Sequence, residues 1–121
     1  MKYFFKKFDG VYSRGEAKIS LNSDSIIRFT SAFCRSTGIS NFKFTVLFFD
    51  ETNKAIAFKF TNSREEGVLR ITGDRSGMTV AARSFVRANN LTLKNYSGMY
   101  DYKEKILPDV GRVYIIELKN K

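Results

Sequence analysis

Two short stretches, "SAFCRSTGI" (31–39) and "RSFVRANNL" (83–91), repeat one pattern of residues 52 positions apart. Both have Phe in the third place and Arg in the fifth. Each closes with a residue suited to the left-handed conformation, Gly38 or Asn90, and then an aliphatic residue. Gly and Asn are the residues that end helices in this conformation. The pattern therefore predicts two short helices that end in the same way.

The similarity extends toward the N-terminus of each stretch, so that 15–39 aligns with 67–91 without a gap. Before each helix, alternating residues flank a turn-forming stretch, which indicates a hairpin, and a second hairpin follows each helix. We therefore predict a β-dominated α+β fold. Two tandem strand-strand-helix-strand-strand repeats, 15–66 and 67–119, are expected to form one pseudo-twofold domain over 1–121 with two short helices.

Within this scheme the sequence predicts several local features. Thr30 should cap the first helix, and Phe33 and Phe85 should both be buried anchors of their helices. Eight strands are expected, and "GMYDYKEKI" (98–106) is predicted to be one of them. The remaining expectations are Phe42, Phe44, Val46 and Phe48 on one core-facing side, Ile56, Phe58 and Phe60 on another, a left-handed Asn53, Pro108 at the first corner of a turn, and an additional edge strand at "KYFFKKF" (2–8).

The charge balance favours a polyanionic partner. Lys and Arg number 21 against 12 Asp and Glu, which gives a net charge of +9 and an isoelectric point near 9.8. Nucleic acid and anionic membrane surfaces are the usual partners of such a protein. One cysteine, no signal-like leader and no long apolar segment predict a cytoplasmic protein without a membrane association.

Catalytic and metal-binding residues are scarce. The chain has no His, and Cys34 is its only cysteine, so the usual general base and thiolate zinc sites are missing. No phosphate-binding glycine loop precedes a predicted helix, and no group of acids is placed to hold a metal. We therefore expect a protein without catalysis, cofactor or metal.

Basic and aromatic residues alternate in several predicted strands, an arrangement that suits phosphate neutralisation together with base stacking. Arg83 and Arg87 are four positions apart on one helix face, and Arg35 of the other repeat could complete a two-sided phosphate clamp. The predicted nucleic-acid-binding residues are Arg28, Arg35, Lys43, Lys59, Arg83, Arg87, Phe49, Tyr100 and Tyr102.

The leading hypothesis is a small nucleic-acid-binding protein that uses a basic, aromatic-bearing β-sheet surface. Single-stranded DNA or RNA is favoured slightly over duplex, because rings on strands suit stacking better than groove reading. A protein-interaction or assembly module without nucleic acid is the alternative, and a homodimer through exposed strand edges is left open. Attachment to an anionic membrane through the N-terminal "MKYFFKKF" is a third hypothesis, weakened by the shortness of that segment.

Overall fold

The computed structural model describes residues 2–5, 16–74 and 77–120. Within these ranges it contains nine strands and two short helices. In chain order these are β1 (Ile19–Leu21), β2 (Ile26–Thr30), α1 (Ser31–Thr37), β3 (Phe44–Asp50), β4 (Ala55–Thr61), β5 (Leu69–Asp74), β6 (Gly77–Ala81), α2 (Arg83–Ala88), β7 (Gly98–Tyr100), β8 (Lys103–Leu107) and β9 (Gly111–Glu117). Two 3-10 turns, Ile39–Asn41 and Leu93–Asn95, follow the helices. The prediction of a β-dominated α+β fold with two short helices is confirmed.

The nine strands form one sheet in the order β7-β1-β2-β6-β5-β3-β4-β9-β8, and every pairing is antiparallel. The first and last strands of this order, β7 and β8, are separated in the chain only by Asp101 and Tyr102. The sheet therefore curls until its two ends meet, and its inner face encloses the core. Across that core, the Phe29 ring of β2 lies 5.5 Å from Phe58 and 5.3 Å from Phe60 of β4, centroid to centroid.

The two helix ends agree with the sequence. The Phe33 backbone N–H donates to Thr30 Oγ1 at 3.3 Å, so Thr30 caps α1 as predicted. Gly38 ends α1 with φ 71°, and Asn90 has φ 52° after α2. Both left-handed positions are therefore confirmed. The aliphatic residue after Gly38, Ile39, is buried.

The two predicted helix anchors have different surroundings. Phe33 is fully buried, and its ring contacts the rings of four other aromatic residues: Phe29, Phe60, Tyr102 and Tyr114. Phe85 is only half-buried, against Phe49 at 6.3 Å. The prediction that both rings are buried is wrong for Phe85, because Phe49 is the one aromatic ring among the described residues that contacts it.

Strand β3 has the opposite phase to the one predicted. Thr45 is fully buried, and Leu47 and Phe49 pack against the core, so Phe44, Val46 and Phe48 lie on the outer face of the sheet. Thr45 can occupy the interior because its hydroxyl donates to the Lys59 carbonyl at 2.9 Å. In β4 the predicted core face is confirmed, since Ile56, Phe58 and Phe60 are all buried.

The C-terminal part has one strand more than the sequence predicts. Residues 98–106 are divided between β7 and β8, because the chain passes at Tyr102 from one end of the sheet to the other. In the β3–β4 turn Lys54, not Asn53, has a positive φ, and the Asn53 side chain instead donates to Asp50 at 2.8 Å.

Pro108 occupies the first corner of the turn between β8 and β9, as predicted, and Asp109 follows it with φ 64°. Residues 2–5 have no regular secondary structure, so the proposed edge strand does not form there. The remainder of that proposed strand, 6–8, lies outside the described residues.

Candidate functional site

A groove opens where β3 and β5 separate. These strands pair only at Phe44↔Arg70 and Thr45↔Leu69, and beyond that point the Ile71 N–H donates to the Lys43 carbonyl at 2.9 Å. The groove has a volume of about 480 Å³. Its lining residues are Ser40, Phe42, Lys43, Phe44, Asn62, Arg64, Arg70, Ile71, Gly73 and Met78. We call it the β3–β5 groove.

Asn62 fixes one wall of the β3–β5 groove. Its side-chain oxygen accepts the Lys43 backbone N–H at 2.9 Å, and its amide nitrogen donates to the Asn41 carbonyl at 3.2 Å. These two bonds attach the end of β4 to the segment before β3. The wall that carries Lys43 is therefore positioned by the Asn62 side chain through backbone groups and does not depend on the lysine side chain.

The groove is basic. Lys43, Arg64 and Arg70 are all exposed, and no carboxylate belongs to the described residues that line it. The Arg64 guanidinium lies over the Phe44 ring, 6.0 Å from its centroid, which is within the range of a cation–π contact. A half-buried aromatic ring and three cations therefore meet in one concave surface.

Two further predicted cations lie on the outer face of the sheet. Arg28 is exposed in the middle of β2, opposite Thr79, and its guanidinium lies over Gly77, at 3.8 Å from where a Cβ would stand. Lys59 is half-buried on β4, opposite Val46. Gly77 is close to the groove, because a Cβ on the lining residue Gly73 would stand 2.3 Å from the Gly77 carbonyl oxygen. Arg28 therefore lies near the groove, and Lys59 lies beside the outward residues of β3.

The predicted stacking residue Tyr100 does not present its ring on an outer face. It is 6% exposed. Its hydroxyl donates to the Tyr96 carbonyl and accepts the Lys119 N–H at 3.2 Å. The phenol thus attaches the C-terminal segment to β7, which explains why an aromatic residue that alternates with polar residues is buried.

Tyr102 and Phe49 are likewise packing residues. The Tyr102 ring meets Phe33 edge-to-face at 4.7 Å and Tyr114 at 5.9 Å. Phe49 faces Phe85 and is covered by the Lys54 ammonium at 5.8 Å. Both are half-buried against the core. The outward aromatic positions of β3 are Phe44 and Phe48 instead, because the phase of the strand is reversed.

The predicted clamp between the two helices is not formed. Strands β2 and β6 are antiparallel, with Thr30 opposite Gly77 and Ile26 opposite Ala81. Because α1 follows Thr30 and α2 follows Ala81, the helices leave this pair of strands at its opposite ends. Arg35 therefore lies beyond the Thr30 end of the β2–β6 pair. Arg83 and Arg87, which are both exposed, lie beyond the Ala81 end.

Lys18 forms ion pairs with two carboxylates. Its ammonium pairs with Asp101 and, at 3.2 Å, with Glu16. The hydrogen bond from Lys18 lowers the pKa of Asp101, and the same bond raises the pKa of Lys18. Lys18 therefore joins β1 to the link between β7 and β8, and its charge is largely compensated.

Sequence reasoning missed Arg64, Arg70, Asn62 and Phe44 as members of the site. A signal was present for Arg70, which alternates with the buried Ile71 and so faces outward. Arg64 follows β4 in a loop, where no periodicity indicates direction. Phe44 was assigned to the core because "FKFTVLFF" places large apolar residues in both phases.

Other kinds of site are not apparent in the described part of the chain. No three of its acidic or sulfur side chains gather as metal ligands. Among its helices none has the length and apolar character needed to cross a bilayer. Comparison with protein-family models, with curated proteins and with solved structures finds no match to this chain.

Proposed function

We propose that the protein binds single-stranded nucleic acid, DNA or RNA, without catalysis, and that the β3–β5 groove is the binding site. The observation that carries this proposal is the convergence of Lys43, Arg64 and Arg70 around Phe44, with no carboxylate among the described lining residues. Cations in such a setting attract phosphates, and an exposed ring offers a stacking surface for a base.

Each group has a separate role in this proposal. Lys43 and Arg70 bind backbone phosphates on the two sides of the point where β3 and β5 separate. Arg64 moves from the Phe44 face to a phosphate, and a base replaces its guanidinium on the ring. Since every base has a π-face and the phosphates carry no sequence information, binding is largely independent of sequence.

A preference for single strands follows from the position of Phe44. Its ring is half-buried on the outer face and can be covered on only one side. Only an unpaired base can lie flat on such a ring, because the faces of paired bases are occupied by their neighbours in the stack. Duplex is therefore bound through its phosphates alone.

The proposal is tested by two double variants that remove the same charge. Arg64→Ala with Arg70→Ala changes the groove. Arg83→Ala with Arg87→Ala changes α2, which follows the C-terminal end of β6. For single strands, each phosphate contact contributes about −0.7 to the slope of log K against log salt concentration. The groove variant loses two contacts, so the magnitude of its slope should fall by about 1.4. The α2 variant should lower it by less than half of that.

Fluorescence anisotropy with a labelled oligonucleotide at several salt concentrations measures both slopes, and circular dichroism confirms folding. Equal losses from the two variants would place the contacts outside the groove. Absence of wild-type binding at about 50 mM salt, where electrostatic binding is strong, would remove the nucleic-acid proposal altogether.

The assembly module is the second candidate function, and exposed apolar residues at the sheet ends favour it. Ile106 on β8 is 74% exposed and Met99 on β7 is 61% exposed. Strands at the ends of a sheet offer unpaired backbone groups to another chain. Sedimentation equilibrium of the wild type and of Ile106→Lys tests this candidate, which requires an oligomer that the variant weakens.

We also infer that the two halves are related by a pseudo-twofold axis between β2 and β6. A shift of 52 residues relates β1 to β5, β2 to β6 and β3 to β7. Exchanging these partners in the order β3-β5-β6-β2-β1-β7 gives the same order read from its other end. A shift of 52 residues turns the pair Ile26↔Ala81 into Phe29↔Met78, which is also a pair. An experimental structure in which 19–39 and 71–91 do not superpose would remove this inference.

A further inference from the structure

Three consecutive aromatic residues near the N-terminus are exposed. The exposed fractions are 66% for Tyr3, 91% for Phe4 and 89% for Phe5. Large rings of this kind are normally buried, and a group of them in solvent indicates a binding surface. We call residues 2–5 the aromatic arm.

The rings of the aromatic arm are nearly parallel and can be separated far enough to admit one base. Tyr3 and Phe5 are nearly parallel, with an interplanar angle of 20° and centroids 5.4 Å apart. Two residues of fully extended chain span about 6.8 Å, and a base between two rings needs two stacking intervals of about 3.4 Å. Extension of the arm therefore opens this pair by the amount needed to admit one base.

The charge of the segment indicates a polyanion. Lys2 precedes the rings, Lys6 and Lys7 follow them in the sequence, and the first acid is Asp9. A second copy of this chain is disfavoured as the occupant, because its net charge of +9 repels a basic arm. A bilayer is disfavoured because so short a segment gives only weak anchoring.

We propose that Tyr3 and Phe5 sandwich one unpaired base of a single-stranded nucleic acid, while Lys2, next to Tyr3, attracts its phosphates. This inference rests on the proposed function, since the β3–β5 groove binds the phosphates of the same strand. Phe4 alternates with the two sandwiching rings and lies on the other side of an extended arm. It takes no part in the sandwich and provides a matched control.

Binding of a labelled oligothymidine and of an abasic oligonucleotide of the same length tests the proposal in the full chain. Tyr3→Ala with Phe5→Ala should weaken oligothymidine binding roughly ten- to a hundredfold, the usual effect of losing one stacked base. Phe4→Ala should change it less than about twofold, and neither variant should affect the abasic oligonucleotide more than that. Because the chain contains no Trp, Phe5→Trp adds a single indole, whose emission lies at longer wavelength than that of the tyrosines. Oligothymidine should quench this emission and the abasic oligonucleotide should not.

The two proposals fail in different ways. If the wild type binds both oligonucleotides but the double variant behaves like the wild type, the aromatic arm is not a base site, and the groove stands. An equal loss on both oligonucleotides overturns base stacking, because the abasic oligonucleotide has no base to stack. If the double variant binds oligothymidine normally but no longer binds anionic phosphatidylserine vesicles, the arm is a membrane site. If it binds oligothymidine normally but dissociates an oligomer, the arm contacts a second copy of the chain. If the wild type binds neither oligonucleotide, both proposals are wrong.

Discussion

The two helices have similar sequences and end in similar backbone conformations, yet they are held in different ways. Helix α1 has a side-chain cap from Thr30 and places Phe33 inside a cluster of aromatic rings. Helix α2 begins after Ala82 without a side-chain cap and places Phe85 half-buried on Phe49. The corresponding neighbours Cys34 and Val86, by contrast, are both buried. A local pattern thus preserves helix geometry, whereas the surroundings of a ring depend on distant parts of the chain.

The largest expected difference between the helices is the cost of removing the ring. Phe33→Ala should lower the free energy of unfolding by about 3–5 kcal/mol, because the ring is fully buried among other rings. Phe85→Ala should cost less than half as much, because solvent already reaches that ring. Urea denaturation followed by circular dichroism measures both values. Equal costs would mean that the two anchors are equivalent after all.

The second-largest expected effect concerns the N-terminal cap, which α1 has and α2 lacks. Thr30→Ala should cost about 1–2 kcal/mol, because its hydroxyl accepts both the Phe33 N–H and, at 2.9 Å, the Lys18 N–H. Thr30→Ser retains the hydroxyl and is the control, with a smaller loss in the same urea titration. A Thr30→Ala protein as stable as the wild type would mean that water replaces the cap at no cost.

The helix ends should be alike. Gly38→Ala should cost about 1 kcal/mol through its left-handed backbone alone, since a Cβ there would meet nothing closer than Asn41 Nδ2 at 3.7 Å. Asn90→Ala should lose a similar or slightly smaller amount, because Asn tolerates this conformation better than Ala. Thermal unfolding of both variants measures the losses. A neutral Gly38→Ala would show that the end of α1 relaxes.

The smallest expected effect concerns the ion pair between Lys18 and Asp101. Lys18 corresponds in the other half to Arg70, which lines the groove. Asp101 has a lowered pKa because Lys18 donates to it, so the stability that it contributes is present above its unfolded pKa and is lost as pH falls through its folded pKa. Asp101→Asn should remove that acid-side dependence and change little near neutral pH, since the Asp101 carboxylate is exposed. Unfolding titrations from pH 7 downward, compared with the wild type, check this. An unchanged pH profile would mean that the pair contributes nothing to stability.

Most of the fold could be predicted because its determinants are local. The cap at Thr30, the left-handed Gly38 and Asn90, and the core face of β4 follow from neighbouring residues. Two features could not be predicted in this way. The phase of β3 depends on a hydrogen bond from Thr45 to the Lys59 carbonyl on another strand, and the division of 98–106 depends on where the curled sheet closes.

The candidate site was predicted less completely for the same reason. Lys43 was identified because it alternates with aromatic residues, and it lies in the groove. Arg64 and Arg70 come from a loop and a neighbouring strand, and only the pairing of β3 with β5 brings them to Lys43. Tyr100 and Tyr102 were assigned to the surface because alternation does not show that the curled sheet and the C-terminal segment cover them.

The position of β7 beside β1 has a consequence for biosynthesis. Strand β1 pairs with β7, and Ile19 lies opposite Tyr100, about 80 residues further along the chain. A chain still on the ribosome therefore keeps one side of β1 unpaired until β7 has been made. Closing so long a loop is slow, and the exposed strand can meanwhile pair with another nascent chain. Chains truncated before β7 should for this reason aggregate during expression, even though they contain both helices and six of the nine strands.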